Sequence, residues 1–370
     1  SGLCRSSRNN ARYIYFKYYF KSLKLKVSTN FKKIKNDWDK SDMNDFIHSS
    51  FLEIFYSKHP NIKHIFVINN DLRIYGHLLI LRFDKISNYI NKKIALLFKF
   101  FKFKILYLTN SFITNVPSYV SKNKIDLDKL LSSLEIKYNL LIIPDFFYDY
   151  TFNQKKQFFK IEVEPEMVIE INNNWTNIED YIFDLKKKYR KKMKEILRLS
   201  NEIEIRLMNR TDLEKFSDKI QELYFNLIHD SSFHGPIFNI DSFSSLNEKD
   251  FFKINGYFIN NELVAFASEI HQKDTLYSYF VGFDKVLNKK FALYPRILIE
   301  SIDNAIALKK DKLVLGRTAN EFKSNFGAKP IKSFVYIYVN NIFMRVLLMP
   351  LIRRLKLKKW QQRNPFRKVY

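Results

Sequence analysis

Apolar and polar positions first fall into a regular order at residue 64. HIFVINNDLRIYGHLLILRF reads as two strands turning at Asn69-Asn70, because adjacent Asn residues tolerate the positive φ that tight hairpins require. KILYLTNSF predicts a third strand, IDLDKLLSSLEIKY places Ile125, Leu127, Leu130, Leu131 and Leu134 at helical spacing, and LLIIPDFF predicts a fourth strand. TNIEDYIFDLKKKYRKKMKEILRL then reads as one helix opened by a Thr176/Glu179 capping pattern. Its apolar face is Ile182, Leu185, Tyr189, Met193 and Ile196, and Lys186, Lys187, Arg190, Lys191 and Lys194 form a basic ridge opposite.

Two more capping patterns, Thr211 with Glu214 and Ser245 with Glu248, predict helices. YFINNELVAFASEIH and TLYSYFVGF predict an antiparallel pair turning at Asn260-Asn261, and Pro295 opens a helix over PRILIESIDNAIALKK. LVL and IKSFVYIYV close the series. FVINNDL at 66–72 echoes YFINNEL at 257–263, each within a run of strand, Asn-Asn turn, strand, strand, helix, strand. The shared order points to a duplicated unit. The expected organisation is a basic, aromatic lead-in over 1–60, one unit over 61–165, a second over 166–340, and a basic amphipathic tail over 341–370.

Charge narrows the choice of partners. Sixty-three Lys and Arg against 38 Asp and Glu leave a net charge of +25, which concentrates anionic partners at the surface. A lysine-rich codon bias accounts for part of the excess, so nucleic acid, an anionic membrane face and an anionic co-substrate all stay open. The single cysteine, Cys4, excludes an internal disulfide, no Cys/His group has zinc-ligand spacing, and a cytoplasmic location is expected. The longest apolar run, IALLFKFFKFKILYL, is interrupted by Lys99, Lys102 and Lys104 and is too short to span a bilayer. NIFMRVLLMPLIRRLKLKKW is apolar and then cationic, as suits either a peripheral anchor on the inner face of a membrane or a helix covering a core edge.

The motifs of the second unit fall in a familiar order. Gly282-Phe283-Asp284, Leu315-Gly316-Arg317, Phe322-Lys323 and Phe326-Gly327, preceded by a helix carrying Lys188-Tyr189-Arg190, resemble the GNAT-fold acyltransferases, in particular their two-domain Fem-like and polysaccharide-associated branch. Phe322 stands where that pattern commonly has Tyr and Val314 where it has Asp, and NKKFALYP replaces the Gly-rich pyrophosphate loop of simpler members.

The resemblance implies an α/β fold of two tandem GNAT-like domains, each a mixed, mostly antiparallel sheet flanked by helices. It also implies transfer of an acyl group from a CoA or carrier-protein thioester to an amine. The thioester would be a co-substrate, with no permanently bound cofactor and no metal. An aminolipid, giving a ceramide-like amide, or a lipid-linked amino sugar is the acceptor that a membrane location suggests. A Fem-type aminoacyl-tRNA-dependent peptidyltransferase is the second enzyme reading, and a non-catalytic nucleic-acid or membrane binding protein the third.

Such chemistry needs a base for the amine and a donor for the oxyanion. Candidates are His234 in a polar loop, Glu269 and His271 on one face of a strand, and Tyr279 on the next; a solvated strand face accounts equally well for Glu269 and His271, and core packing for Tyr279. Lys289, Lys290, Arg296, Arg317 and Lys323 are candidate contacts to the co-substrate, and Arg190 to the substrate; each has a solvated surface charge as its alternative.

Overall fold

The Asn-Asn hairpins form, by two different devices. In a computed structural model that describes residues 25–39, 43–60, 62–82, 102–230, 237–354 and 357–367, strand β2 (Lys63–Ile68) turns into β3 (Leu72–Arg82). The Asn69 side chain closes that turn by accepting the amides of Asp71 and Leu72 at 2.7 and 2.8 Å. Positive φ is not used there. The second hairpin, β11 (Phe252–Ile259) to β12 (Glu262–His271), does use it, with Asn260 at φ 50° and Asn261 at φ 65°.

Thirteen strands among the described residues make one sheet. Besides those four it contains β1 (Lys26–Ser28), β4 (Lys102–Tyr107), β5 (Tyr119–Ser121), β7 (Leu140–Pro144), β9 (Phe159–Glu170), β10 (Glu204–Leu207), β13 (Thr275–Phe283), β14 (Lys312–Val314) and β15 (Lys329–Val339); β6 (Ile125–Asp126) and β8 (Thr151–Phe152) pair separately. The order is β1-β2-β3-β4-β7-β15-β9-β14-β13-β12-β11-β10, with β5 added to β3. Most contacts are antiparallel. Parallel pairing occurs in this sheet at β4 with β7 and at β13 with β14, so each half of the sheet has four antiparallel strands and then a parallel neighbour.

The long strands β9 and β15 pair with each other at the middle and cross between the halves. β9 runs on to pair with β14, and β15 runs on to pair with β7. The boundary expected between residues 165 and 166 therefore falls inside one strand. Apolar residues of both halves close over the junction: Phe55, Phe66 and Tyr75 share a core with Phe243, Phe266 and Ile270.

Helices α1 (Ser49–Lys58), α2 (Leu127–Ser133), α3 (Ile178–Asp184), α4 (Lys187–Leu199), α5 (Ser217–Asp230), α6 (Lys285–Phe291), α7 (Leu293–Ala307), α8 (Asn320–Ser324) and α9 (Ile342–Arg354) flank the sheet. The single helix expected over 176–199 is two. Leu185 is extended and forms a backbone bridge with Phe366, while the Lys186 amide donates to Pro365 O at 2.8 Å. A segment about 180 residues later in the chain thus takes the backbone groups that a continuous helix would have used. The caps also shift: Asn177 caps α3, and Asn209 with Asp212 forms the box expected at Thr211 and Glu214. The short helix Phe243–Asn247 has no side-chain cap at Ser242 and begins before the Ser245 that was expected to open it.

The tail divides into two parts. Helix α9 lays Met344 and Leu348 on the sheet beside Ile337 and Val339. Residues 357–367 then run as a strap over the second half, where Phe366 packs 5.6 Å from Trp175 and 5.8 Å from Tyr181, ring centre to ring centre. Phe366 is half-buried, so it contributes part of the about 1.5–3 kcal/mol that full burial of such a ring would give. No helix among the described residues is long and apolar enough to cross a membrane.

Candidate active site

Strands β13 and β14 are paired only over Thr275–Tyr277 and Lys312–Val314. Past that point they part, because Gly316 at φ 72° starts a turn that Thr318 (φ 69°) and Ala319 (φ 50°) complete before α8 begins. A cavity of about 300 Å³ opens between the diverging chains. β13 supplies Tyr279 and Val281, α7 supplies Tyr294 and Leu298, and the turn and α8 supply Leu315, Arg317 and Lys323. The loop after β4 adds Thr114 and Asn115 from the other half of the molecule.

Lys323 is 4% exposed, and among the described residues no carboxylate pairs with it. Its Nζ donates to Arg317 O at 2.9 Å and Gly316 O at 3.3 Å. Burial of the ammonium lowers its pKa from 10.5 to about 7. As the neutral amine, Lys323 satisfies both carbonyls with its two N–H groups and keeps one lone pair in the cavity wall.

Arg317 is held in place by two contacts. It donates from Nη1 to Thr114 Oγ1 at 3.1 Å, and Nη2 lies 3.7 Å from Glu166 Oε1. Its buried Nε has no partner, so this guanidinium still has a donor to give. Glu166, on β9, stands behind Arg317 and Asn115. Burial raises its pKa to about 7, and the Arg317 charge and an Asn115 hydrogen bond oppose that rise. The Tyr279 hydroxyl donates to Phe112 O at 3.1 Å and Asn115 Oδ1 at 3.2 Å, and burial keeps it protonated.

The loop carrying Thr114 and Asn115 is pinned by a chain of neutral histidines. Ser111 donates its amide to His77 Nδ1 at 3.2 Å, so the His77 proton sits on Nε2, which donates to the Tyr75 hydroxyl at 2.7 Å. Tyr75 in turn donates to His64 Nδ1 at 2.8 Å, and His64 Nε2 donates to His59 O at 3.1 Å. Burial lowers the pKa of both His64 and His77, which agrees with this single set of tautomers.

Tyr294 of the cavity wall leads outward to a basic side chain. Tyr294 stacks on Phe322 with ring centres 5.5 Å apart, and Lys192 of α4 lies over Phe322 at 5.2 Å. Burial, Lys188 and Arg363 all lower the Lys192 pKa. Lys192, not one of the ridge residues read from the sequence, is thus the cation beside the Tyr294–Phe322 pair.

Of the expected site residues, the structure brings Tyr279, Arg317 and Lys323 together. Glu269 and His271 do share one face of β12, but that face lies against α7. Glu269 pairs across the sheet with Ser278, the neighbour of Tyr279 on the opposite face, and Asn304 donates to its carboxylate at 3.1 and 3.2 Å. His271 Nε2 is 3.5 Å from the same carboxylate. Neither residue lines the cavity.

The remaining cationic candidates are placed outside it too. Arg296 pairs with Glu300 at 2.8 Å on α7, Arg190 donates to Leu185 O at 3.1 Å, and Lys289 and Lys290 are exposed on α6. His234 lies outside the described residues. Sequence reasoning missed Glu166, Thr114 and Asn115. The alternating acids of EVEPEM mark a strand with one polar face. Only the pairing of β9 with β14 and β15 brings Glu166 beside Arg317.

No family model and no curated protein matches the sequence. Solved structures do match. L-PGS from Bacillus licheniformis aligns over 88% of this chain and 96% of its own at 11% identity, with a TM-score of 0.53. FemX aligns over 87% of this chain and 99% of its own at 11% identity (TM-score 0.49), and a GCN5-related N-acetyltransferase from Kribbella flavida over 85% and 72% at 8% identity (TM-score 0.41). The first of these carries the comparison. The chain has the α/β fold of that L-PGS structure, a mostly antiparallel sheet flanked by helices.

Proposed function

We propose that the protein is an acyltransferase that moves an acyl group from an anionic carrier to an amine. One observation carries the reading: a buried lysine, with no carboxylate partner among the described residues, lines a cavity beside an arginine with an unused donor. Lys323 takes the proton that the amine loses as it attacks, and Arg317 offers Nε–H to the oxyanion that forms. Glu166 positions Arg317 and balances its charge. The carrier's phosphates lie on Lys188 and Lys192 of α4, and Tyr294 and Phe322 line the way in. A thioester carrier, CoA or carrier protein, fits the cavity mouth; a tRNA carrier is the second reading, favoured by the length of the basic helix.

The test is a panel of acyl-CoAs of graded length and aminoacyl-tRNAs, each offered with simple amines, aminolipids and amino sugars. Amine-dependent release of free thiol, or RNase-sensitive transfer, is expected from one carrier class. No release of either carrier would remove the proposal.

Helix α9 fits an inner membrane face as the place of work. Ile342, Phe343 and Val346 are 58%, 81% and 69% exposed along one side of it, while its other side packs on the sheet. The Phe343→Asp/Val346→Asp variant should lose co-sedimentation with phosphatidylglycerol vesicles; equal sedimentation of variant and parent would remove this part.

A further inference from the structure

We propose that Lys323 is itself an acyl acceptor, so that a donor bound without an amine partner acylates the protein and shuts the site. This rests on the transfer reading above, and its chemistry is separable from it. A lysine that takes a proton from an attacking amine has a lone pair aimed at the place that amine occupies, and with that place empty the same lone pair is the nucleophile beside the acyl carbonyl. When the cavity holds donor alone, no other amine competes for that carbonyl.

Three features of the fold favour the reaction at this lysine over the others. The side chain is withdrawn from water, so hydration does not hold the nitrogen as an ammonium, whereas Lys289 and Lys290 on α6 are exposed. Its two N–H groups are fixed on Gly316 O and Arg317 O, which leaves the lone pair as the unengaged position. The helical turn that carries it is braced by Asn325, whose Nδ2 donates to Glu321 O at 3.0 Å and Phe322 O at 3.1 Å.

In the step itself a C–N bond forms between Nζ and the acyl carbon. The bond from that carbon to the carrier's sulfur or oxygen breaks, and the proton lost by Nζ leaves with the carrier as its thiol or hydroxyl. Nothing is oxidised or reduced. The product is an amide, which does not return the acyl group. It removes the basic nitrogen and fills part of a cavity of about 300 Å³, so the modification is a brake set by acceptor supply.

The experiment uses the intact protein and a small activated ester, p-nitrophenyl acetate, with peptide mapping by mass spectrometry, so no natural donor is needed. Lys323 should be acetylated first at neutral pH, at a rate that rises through about pH 7, while exposed lysines react appreciably only at more alkaline pH. Lys323→Arg should remove this fast phase and leave the slow sites unchanged. Acetylation spread over exposed lysines with Lys323 unmodified overturns the inference. Once a natural donor is known, transfer to amines with no acyl-Lys323 in acceptor-free incubations also overturns it and leaves the transferase reading standing. Fast labelling by the ester with no turnover from any carrier supports the reactive amine and removes the transferase reading.

Discussion

Lys323 shows at the scale of one residue how this site sets stability against function. Its folded pKa of about 7 lies below the unfolded value near 10.5, so folding expels a proton between those limits. The penalty is absent above about pH 10.5, grows as the pH falls, and is complete below about pH 7. Lys323→Met should therefore raise stability at pH 7 by a few kcal/mol, with the gain vanishing toward pH 10.5, as read by denaturant unfolding at several pH values. A variant less stable than the parent at pH 7 would contradict the unpaired, buried amine. Glu166 has the opposite sign. Its pKa is raised from 4.5 to about 7, so its stabilising share is present below about pH 4.5 and lost as the pH rises through 7.

At the scale of elements, the turn and strap around α8 hold the site in shape. Gly327 has φ 86°, and a Cβ there would come within 2.3 Å of the Phe366 ring. Gly327→Ala should lower stability by more than about 2 kcal/mol, through both strain and the displaced ring. Adding Phe366→Ala should return part of that loss, and a fully additive double variant would show that the strap does not press on the turn.

These elements also mark where the sequence was readable. The hairpins, the α7 helix and the Gly316–Gly327 stretch follow from local period and turn chemistry, so they were legible. The break at Leu185 was not, because its cause is a bridge to Phe366. Nor was the role of Glu166, whose strand neighbours β14 and β15 come more than 140 residues later. Glu269 and His271 were rightly read as sharing a face, but Asn304 of α7 takes the Glu269 carboxylate, and neither residue reaches the cavity wall.

At the scale of the whole molecule, two similarly ordered half-sheets are joined by crossing strands, and both halves supply walls to the splayed gap between β13 and β14. Lys192, with Lys188 near it, forms a second basic ridge on the Tyr294 side of that gap. Reversing Lys188 and Lys192 to Glu should weaken donor binding at least tenfold at low salt and flatten its salt dependence, with little change in the rate once donor is saturating. An equal loss at high and low salt would mean that the ridge acts through folding.

The claim that joins the three scales is that the Lys323 amine moves the proton in acyl transfer. The measurement that meets it most directly is the pH dependence of kcat for the donor that turns over, in the parent and in Lys323→Met. The account predicts a rate that rises through about pH 7 in the parent, and a variant slower by about 10²–10⁴-fold that lacks this limb. A variant with the parent's rate and the parent's pH profile would contradict it.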